Sequence, residues 1–421
     1  MAKSKPLHDV AVVGGGPAGL VAALSLVRAG VDTVLYAPPL PAPDRRTTAL
    51  LGGSVEILDA LGVWAGLAEH AAPLEHLRLV DATRRLLRAP EVTFSAAELG
   101  LPAFGHNIEN ARLREALLAA VRVTAGIRVR EEAVVAVEPE DDAVALKAAS
   151  GIERARLVVA ADGRNSICRE AAGIEREARE LPQTALALNL RHSRPHGNVS
   201  TEFHTESGPF TLVPLPGQRS SLVCVVEPDE ADALLALDDA ALAREIEERA
   251  HSVLGRMEVE GERAAFPLGF SIAATFARRR IALVGEAGHL LPPIGAQGLN
   301  LGIRDAAVIV ELAANALRRG GDPGRDTVLE AYDRQRRGDV RSRALVVDWM
   351  NRSLLSDFLP LHLARGLGLH LASRIGVLRR FLMRQGMGPE VPRDVRQGRS
   401  RRSPRSRGVA PEWPRQNDNS T

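Results

Sequence analysis

An apolar run, Asp9-Val-Ala-Val-Val13, breaks into Gly-Gly-Gly-Pro-Ala-Gly over positions 14–19 and resumes at helical spacing through Leu20, Ala23, Leu24, Leu26 and Val27. Gly30 and a second apolar run over 31–37 follow. This pattern predicts a strand, a tight turn, a helix and a second strand. In that context Gly14 permits the turn, Gly16 lets backbone amides approach a pyrophosphate, and Gly19 allows close helix packing. Pro17 and Ala18 belong to the same turn, and the helix N-terminus stabilises phosphate charge. The fingerprint indicates a dinucleotide without saying which one. The acid that normally ends the second strand and meets the ribose hydroxyls is missing. Tyr36 and Ala37 occupy its place, and Asp32 comes too early, so adenosine binding is expected to lean on backbone contacts.

A second glycine-rich run lies far downstream, Gly285-Glu-Ala-Gly-His-Leu-Leu-Pro-Pro-Ile-Gly-Ala-Gln-Gly-Leu-Asn300, directly after a strand beginning at Ile281. The Glu286 carboxylate can accept hydrogen bonds from a ribityl hydroxyl. The stretch 295–300, with Gly298, Leu299 and Asn300, leads into a helix expected over about 302–317. Its free amides can face the pyrimidine end of a flavin, where the reduced ring carries negative charge. Together the two runs suggest a flavin with its AMP end at the first loop and its isoalloxazine ring near the second. Asp162-Gly163 continues a buried strand over 157–161; alone it reads as a turn, and the second fingerprint makes it a candidate cofactor contact.

Composition adds bounds. A chain of 421 residues, 45% hydrophobic, has room for two domains. Between about 182 and 274, alternating runs over 184–190, 210–215 and 221–226 predict antiparallel strands, with a helix pair over 230–254. They form a sheet-based domain inserted into the first. The formal net charge is +2, and the positive charge is almost wholly Arg without interleaved aromatics, which argues against a nucleic-acid surface. Cys168 and Cys224 are too few for a disulfide framework or zinc site. His192, His196 and His204 converge only on a helix, which Pro195 and Gly197 forbid, so no metal is expected. With no signal-peptide pattern and no run of 18 apolar residues, a cytoplasmic protein is expected, peripheral at most on the inner membrane.

The ordered motifs resemble those of the class A flavoprotein monooxygenases. Within them the chain is similar to the UbiH, UbiF and Coq6 group of ubiquinone-biosynthesis hydroxylases. Arg46-Thr-Thr-Ala-Leu50, with Ser54 and Leu61-Gly-Val-Trp64, resembles their arginine loop, and Ile108-Glu-Asn-Ala-Arg-Leu-Arg114 their Glu-Asn-x-x-Leu-Arg segment. Gly208-Pro-Phe-Thr-Leu-Val-Pro-Leu215 resembles their substrate-domain strand; Arg365-Gly-Leu and Gly386-Met-Gly388 resemble their C-terminal signature. Glu286 stands where the family has Asp, and Gly288 where it has Ala. The resemblance implies an α/β fold: a Rossmann-like FAD-binding domain of the para-hydroxybenzoate hydroxylase type, an inserted antiparallel-sheet substrate domain and a C-terminal helical region. The expected partition is 7–80, 104–175 and 275–330 for FAD, 81–103 and 176–274 for substrate, 331–388 helical, and a disordered tail over 389–421.

What the resemblance implies for function is hydroxylation of the aromatic ring of a polyprenylated phenol in ubiquinone biosynthesis, through a flavin C4a-hydroperoxide. O2 would be co-substrate, and NAD(P)H or a reduced ferredoxin-type carrier the electron donor. Arg46 and Asn107 would approach the flavin and Pro293 would line the cavity before the ring. His289 is a second cavity candidate, although a hydrogen-bonded loop histidine is its plainer reading. A soluble aromatic-acid hydroxylase ranks second, because its phenol-deprotonating tyrosines are absent: the chain has only Tyr36 and Tyr332. A non-catalytic flavin-binding subunit of a quinone-synthesis complex is a third reading. The Leu- and Arg-rich stretch over 354–380 suits a membrane surface, and equally packing on the protein's own core or on a homodimer partner; contact with a quinone-synthesis complex is a further partner expectation.

Overall fold

The computed structural model describes residues 7–39, 44, 46–83, 88–355, 379–380 and 383–384. The expected tail over 389–421 and the signatures at 365–367 and 386–388 lie outside the described residues. Strand Leu7–Val13 is central in the first sheet, parallel to Gly151–Ala160 on one side and to Thr33–Tyr36 on the other. Ile281–Leu283 and Ile127–Arg130 extend it in parallel at either flank. Val10, Ala11 and Val12 are fully buried because both faces of this sheet are covered. Helices Pro17–Arg28, Asn110–Val123 and Gln297–Arg318 pack on one face through Leu20, Leu113 and Leu301.

The other face is closed by two antiparallel strands, Val134–Pro139 and Val144–Ala148, which pair with each other, the second also pairing onto the start of Gly151–Ala160. Sequence analysis places that last strand only from 157, because its first half is partly exposed and lacks a continuous apolar run. The helix expected over 302–317 spans Gln297–Arg318, so the end of the second glycine run is already its first turn.

The second sheet runs in the order His289–Leu290, Met257–Ala273, Arg176–His192, Arg219–Val226, Pro209–Leu215, Val199–His204, His76–Asp81, Val92–Ser95. The period of two divides its side chains. Leu186, Leu188, Leu190, Leu212 and Leu222 pack on the expected helix pair, Pro228–Ala236 and Asp239–Arg249. Alternate residues, among them Ala185, Ala187, Thr211, Val213, Ser221 and Val223, face the other way. The edge strand His289–Leu290 comes from the second glycine run and pairs with Ser271 and Ile272, so that run joins the two sheets. A small sheet, Thr47–Leu51 with Gly105–Glu109 and Ala72–Pro73, lies between them. The long helix Asp326–Leu355 packs along Gln297–Arg318. Among the described residues no helix is long and apolar enough to cross a membrane.

Candidate cofactor and active site

At the first loop the backbone turns so tightly that only glycine fits. Gly14 has φ +123°, and a Cβ there would sit 2.0 Å from the Ala161 carbonyl oxygen. A Cβ at Gly19 would meet the Gly14 carbonyl oxygen at 2.1 Å. At Gly16 the same atom would have nothing within 4 Å, which leaves open space over the helix start. Helix Pro17–Arg28 has no side-chain cap and no acid in its first turn. Its unmet amides, including those of Ala18 and Gly19, present a site for a diphosphate. Ala37 lies against this turn, since a Cβ on Gly15 would come within 2.9 Å of the Ala37 Cβ. No carboxylate reaches out from that position. Arg114 Nε donates to the Gly15 carbonyl at 3.1 Å and braces the loop from the Asn110–Val123 helix.

The second loop is built around Gly285 and Asn300. Gly285 opens a single 3-10 turn, Gly285–Ala287, which presents Glu286 outward with its side chain about half exposed. The Glu286 carboxylate is 4.0 Å from Arg164 Nε. Hydrogen bonding to Asp44 raises the Arg46 pKa, and the charge of Glu286 adds to it. Pro293 and Gly298 are exposed, whereas Leu299 is partly buried against the core. Helix Gln297–Arg318 starts from Ala296, which has left-handed φ +53°, and it too has neither a side-chain cap nor an acid in its first turn. Asn300 holds this start in place. Its Oδ1 accepts from Leu51 N at 2.9 Å and Ser54 Oγ at 2.7 Å, and its Nδ2 donates to the carbonyls of Ala49 at 2.8 Å and Ala296 at 2.6 Å.

The remaining expected residues fall into two groups. Asp162 follows strand Gly151–Ala160; its Oδ2 accepts from Cys168 N at 3.1 Å, while the buried Oδ1 has no partner. Gly163 takes φ +81° beside it, with open space around its Cβ position. Arg46, by contrast, is turned toward Asp44 at 2.8 Å and lies over the Phe266 ring at 5.1 Å. Asn107 is buried and donates from Nδ2 to the Pro214 carbonyl at 2.9 Å and to Ser221 Oγ at 3.1 Å. Thr47 Oγ1 donates to the same serine at 2.8 Å. These contacts join the small sheet to the unpacked face of the large one. His289 points inward: it is 2% exposed and its Nε2 is 2.7 Å from Asp305 Oδ2. His192, His196 and His204 each bond separately, to Ser220, the Leu215 carbonyl and Glu202.

Sequence reasoning missed Asp305 and Ser221. Asp305 lies within an ordinary amphipathic helix, and only its position opposite His289, sixteen residues back, would have marked it. Burial alone would raise its pKa. The charge of Arg336, followed by His289 and the Gly285 amide, overcomes this and lowers it to about 2. Ser221 stands in a strand without any local motif. Two surface hollows lie away from the glycine loops. One of about 420 Å³ runs along Asp333, Arg337 and Arg341, and one of about 210 Å³ lies among His70, Glu109, Arg112 and Arg219.

These loops fit an FAD. Two uncapped helix starts offer amides for the diphosphate and the pyrimidine ring, open space lies over Gly16 and Gly298, and Asp162 has an unused acceptor. Such a pair of loops, joined by a sheet between them, defines a nucleotide-cofactor flavoprotein. The FAD binding domain family matches residues 8–345. The chain is 35% identical over 401 residues to ubiquinone hydroxylase UbiL of Rhodospirillum rubrum, covering 92% of each. It is 32% identical to 3-demethoxyubiquinol 3-hydroxylase of Escherichia coli, over 90% of this chain and 98% of that protein. The crystal structure of p-nitrophenol 4-monooxygenase PnpA from Pseudomonas putida superimposes with TM-score 0.73 at 20% identity, over 95% of this chain and all of that one, which shows the shared fold. The chain belongs to the FAD-binding-domain flavoproteins and, among them, to the class A monooxygenases of the UbiH, UbiF and Coq6 type. It is an FAD-dependent monooxygenase with the para-hydroxybenzoate hydroxylase-like fold.

Proposed function

We propose that this enzyme hydroxylates the aromatic ring of a polyprenylated phenol in ubiquinone biosynthesis. The observation that carries the choice of substrate is the face of the large sheet turned toward Arg46 and Asn107. Ala185, Ala187, Thr211, Val213, Val223 and Phe266 give it small or apolar side chains, with Ser221 as a polar point held by Thr47 and Asn107. Arg191, Arg219, Glu260 and Glu109 lie beyond Ser221 and pair with one another. Arg46, which lies over Phe266, is paired with Asp44, so each of these arginines already has a carboxylate partner; an aromatic acid would need a cation for its own carboxylate, whereas a prenylated ring needs apolar surface. The names of UbiL and the 3-demethoxyubiquinol hydroxylase agree with this substrate.

In this reading the amides of Ala18 and Gly19 hold the diphosphate, Asp162 and Glu286 accept hydrogen bonds from cofactor hydroxyls, and the start of Gln297–Arg318 faces the pyrimidine edge. Gly14, Gly16 and Pro17 shape the first turn, and Gly163 the turn beside Asp162. Bound FAD supplies oxygen-transfer chemistry. Asn300 takes a supporting role, because its amide is fully engaged within the protein. Pro293 lines the approach to the ring and helps exclude water. O2 is the co-substrate, and NAD(P)H or a ferredoxin-type carrier the reductant. The hydrophobic substrate is drawn from a membrane surface that the enzyme meets peripherally.

A titration tests the substrate class. Adding a short-chain prenylated phenol to the FAD-loaded protein is expected to perturb the visible flavin spectrum, and para-hydroxybenzoate to leave it unchanged. A response to the acid alone would favour the soluble aromatic-acid reading. A protein that shows no bound-flavin absorbance after incubation with FAD and removal of the excess would sink the enzyme reading, whereas one that holds FAD but does not respond to any phenol would support a non-catalytic flavin-binding subunit.

A further inference from the structure

We propose that Asp305 is a positioning residue for the ring end of the cofactor, and that helix Asp326–Leu355 sets the geometry of the 285–300 loop through it. The inference rests on the reading above, in which this loop faces the flavin ring.

One fully buried carboxylate fixes both ends of the turn that carries Glu286. Asp305 Oδ2 accepts from Gly285 N at 2.9 Å and from His289 Nε2 at 2.7 Å, on either side of that turn. Its Oδ1 accepts from Arg336 Nε at 2.6 Å, on the C-terminal helix. The Arg336 side chain is 4% exposed, so the three donors and the carboxylate form a closed set with no solvent to replace a lost member.

The same helix grips the loop at further points. Tyr332, one turn before Arg336, donates its hydroxyl to the Leu283 carbonyl at 2.6 Å, at the end of the strand that feeds the loop. Asp333 accepts from Phe276 N at 2.7 Å and Thr275 Oγ1 at 2.8 Å, anchoring the segment before that strand. Arg343 Nη1 donates to Gln297 Oε1 at 2.9 Å, at the loop's far end. Asp339 stands between the two arginines and accepts from Arg336 Nη1 and Arg343 Nε, both at 2.9 Å, which fixes their orientation. Residues 332, 336, 339 and 343 share one helix face. The loop is therefore held at its entry, its turn and its exit by one rigid element, with Asp305 as the common acceptor at the turn. A small shift of that helix must be transmitted to Glu286 and to the amides of the Gln297 turn, since no slack exists between them.

The test uses the full chain and two readouts other than turnover: FAD affinity by fluorescence titration and the reduction potential of the bound flavin. Asp305→Asn keeps the size but removes the charge, and Tyr332→Phe removes one hydroxyl from a fully buried ring. Both are expected to weaken FAD on the order of tenfold and to shift the potential. Arg336→Lys is expected to retain more affinity than Arg336→Met. An Asp305→Asn protein that melts earlier yet binds FAD with unchanged affinity and potential would make Asp305 a core residue only and overturn the inference. If Asp305→Asn does not fold, unchanged values in Tyr332→Phe overturn it equally. Glu286→Ala separates the two readings. Weakened binding there with none in Asp305→Asn sinks this inference alone, and no loss in either sinks the loop reading with it.

Discussion

Asn300 uses all of its amide on the protein: two donors converge on its oxygen, and its nitrogen serves two carbonyls. Replacing it by Ala leaves the Leu51 amide and the Ala49 carbonyl without partners, and denaturant titration is expected to show a loss of about 1–3 kcal/mol. Asp305 predicts an acid dependence. Its folded pKa is about 2, below the ordinary aspartate value of 3.8. The stability it contributes is thus fully present above pH 3.8 and lost as pH falls toward 2. The groups that face it are Arg336, His289 and the Gly285 amide. The shift corresponds to on the order of 2 kcal/mol. Acid unfolding of the wild type compared with Asp305→Asn checks this: the variant is expected to lose the share of the dependence that Asp305 contributes, while other paired carboxylates such as Asp44, Asp339 and Glu153 keep theirs. At this scale the sequence marked residues with local motifs, such as Gly14, whose tight turn the backbone adopts. It concealed Asp305 and Ser221, whose partners come from distant elements.

The helix Gln297–Arg318 begins at an alanine in the left-handed region, a conformation that costs an L-residue roughly 1–2 kcal/mol. A β-branched side chain worsens it. Ala296→Val is expected to lower the melting temperature and to reduce FAD affinity, whereas Ala296→Gly keeps both near wild type. A valine variant with unaltered affinity would separate this turn from the cofactor. Elements with one clean periodicity were legible: the first helix, Pro17–Arg28, carries the expected apolar spacing, and the inserted helix pair falls where expected. The two antiparallel strands over Val134–Pro139 and Val144–Ala148 were not. They are short, and the first is largely partly exposed, so neither hydrophobic alternation nor turn chemistry set them apart.

Across the whole molecule, the second glycine loop is tied to both sheets through the His289–Leu290 edge strand, and the Ser221 contacts with Thr47 and Asn107 join the small sheet to the large one. A ligand that binds the folded state at both loops stabilises it by mass action. FAD at a hundred times its Kd is expected to add about 2.7 kcal/mol to unfolding, seen as a concentration-dependent rise in melting temperature. Gly14→Ala is expected to abolish that rise, because its Cβ would overlap the Ala161 carbonyl. The architecture was readable because the dinucleotide turn and the change of texture after about residue 182 each carry their own pattern. The junction between the sheets was not, since it depends on single side chains meeting across long sequence separations.

In the proposed function, bound FAD serves to place one oxygen atom on the ring of a prenylated phenol. The direct measurement is a single turnover. FAD-loaded protein is reduced photochemically, which removes any dependence on the natural electron donor. It is then mixed with heavy-isotope dioxygen and a short-chain prenylated phenol in detergent, and the products are identified by mass spectrometry. A ring-hydroxylated product carrying one heavy oxygen is expected; recovery of unmodified phenol while the flavin is reoxidised would rule out this function.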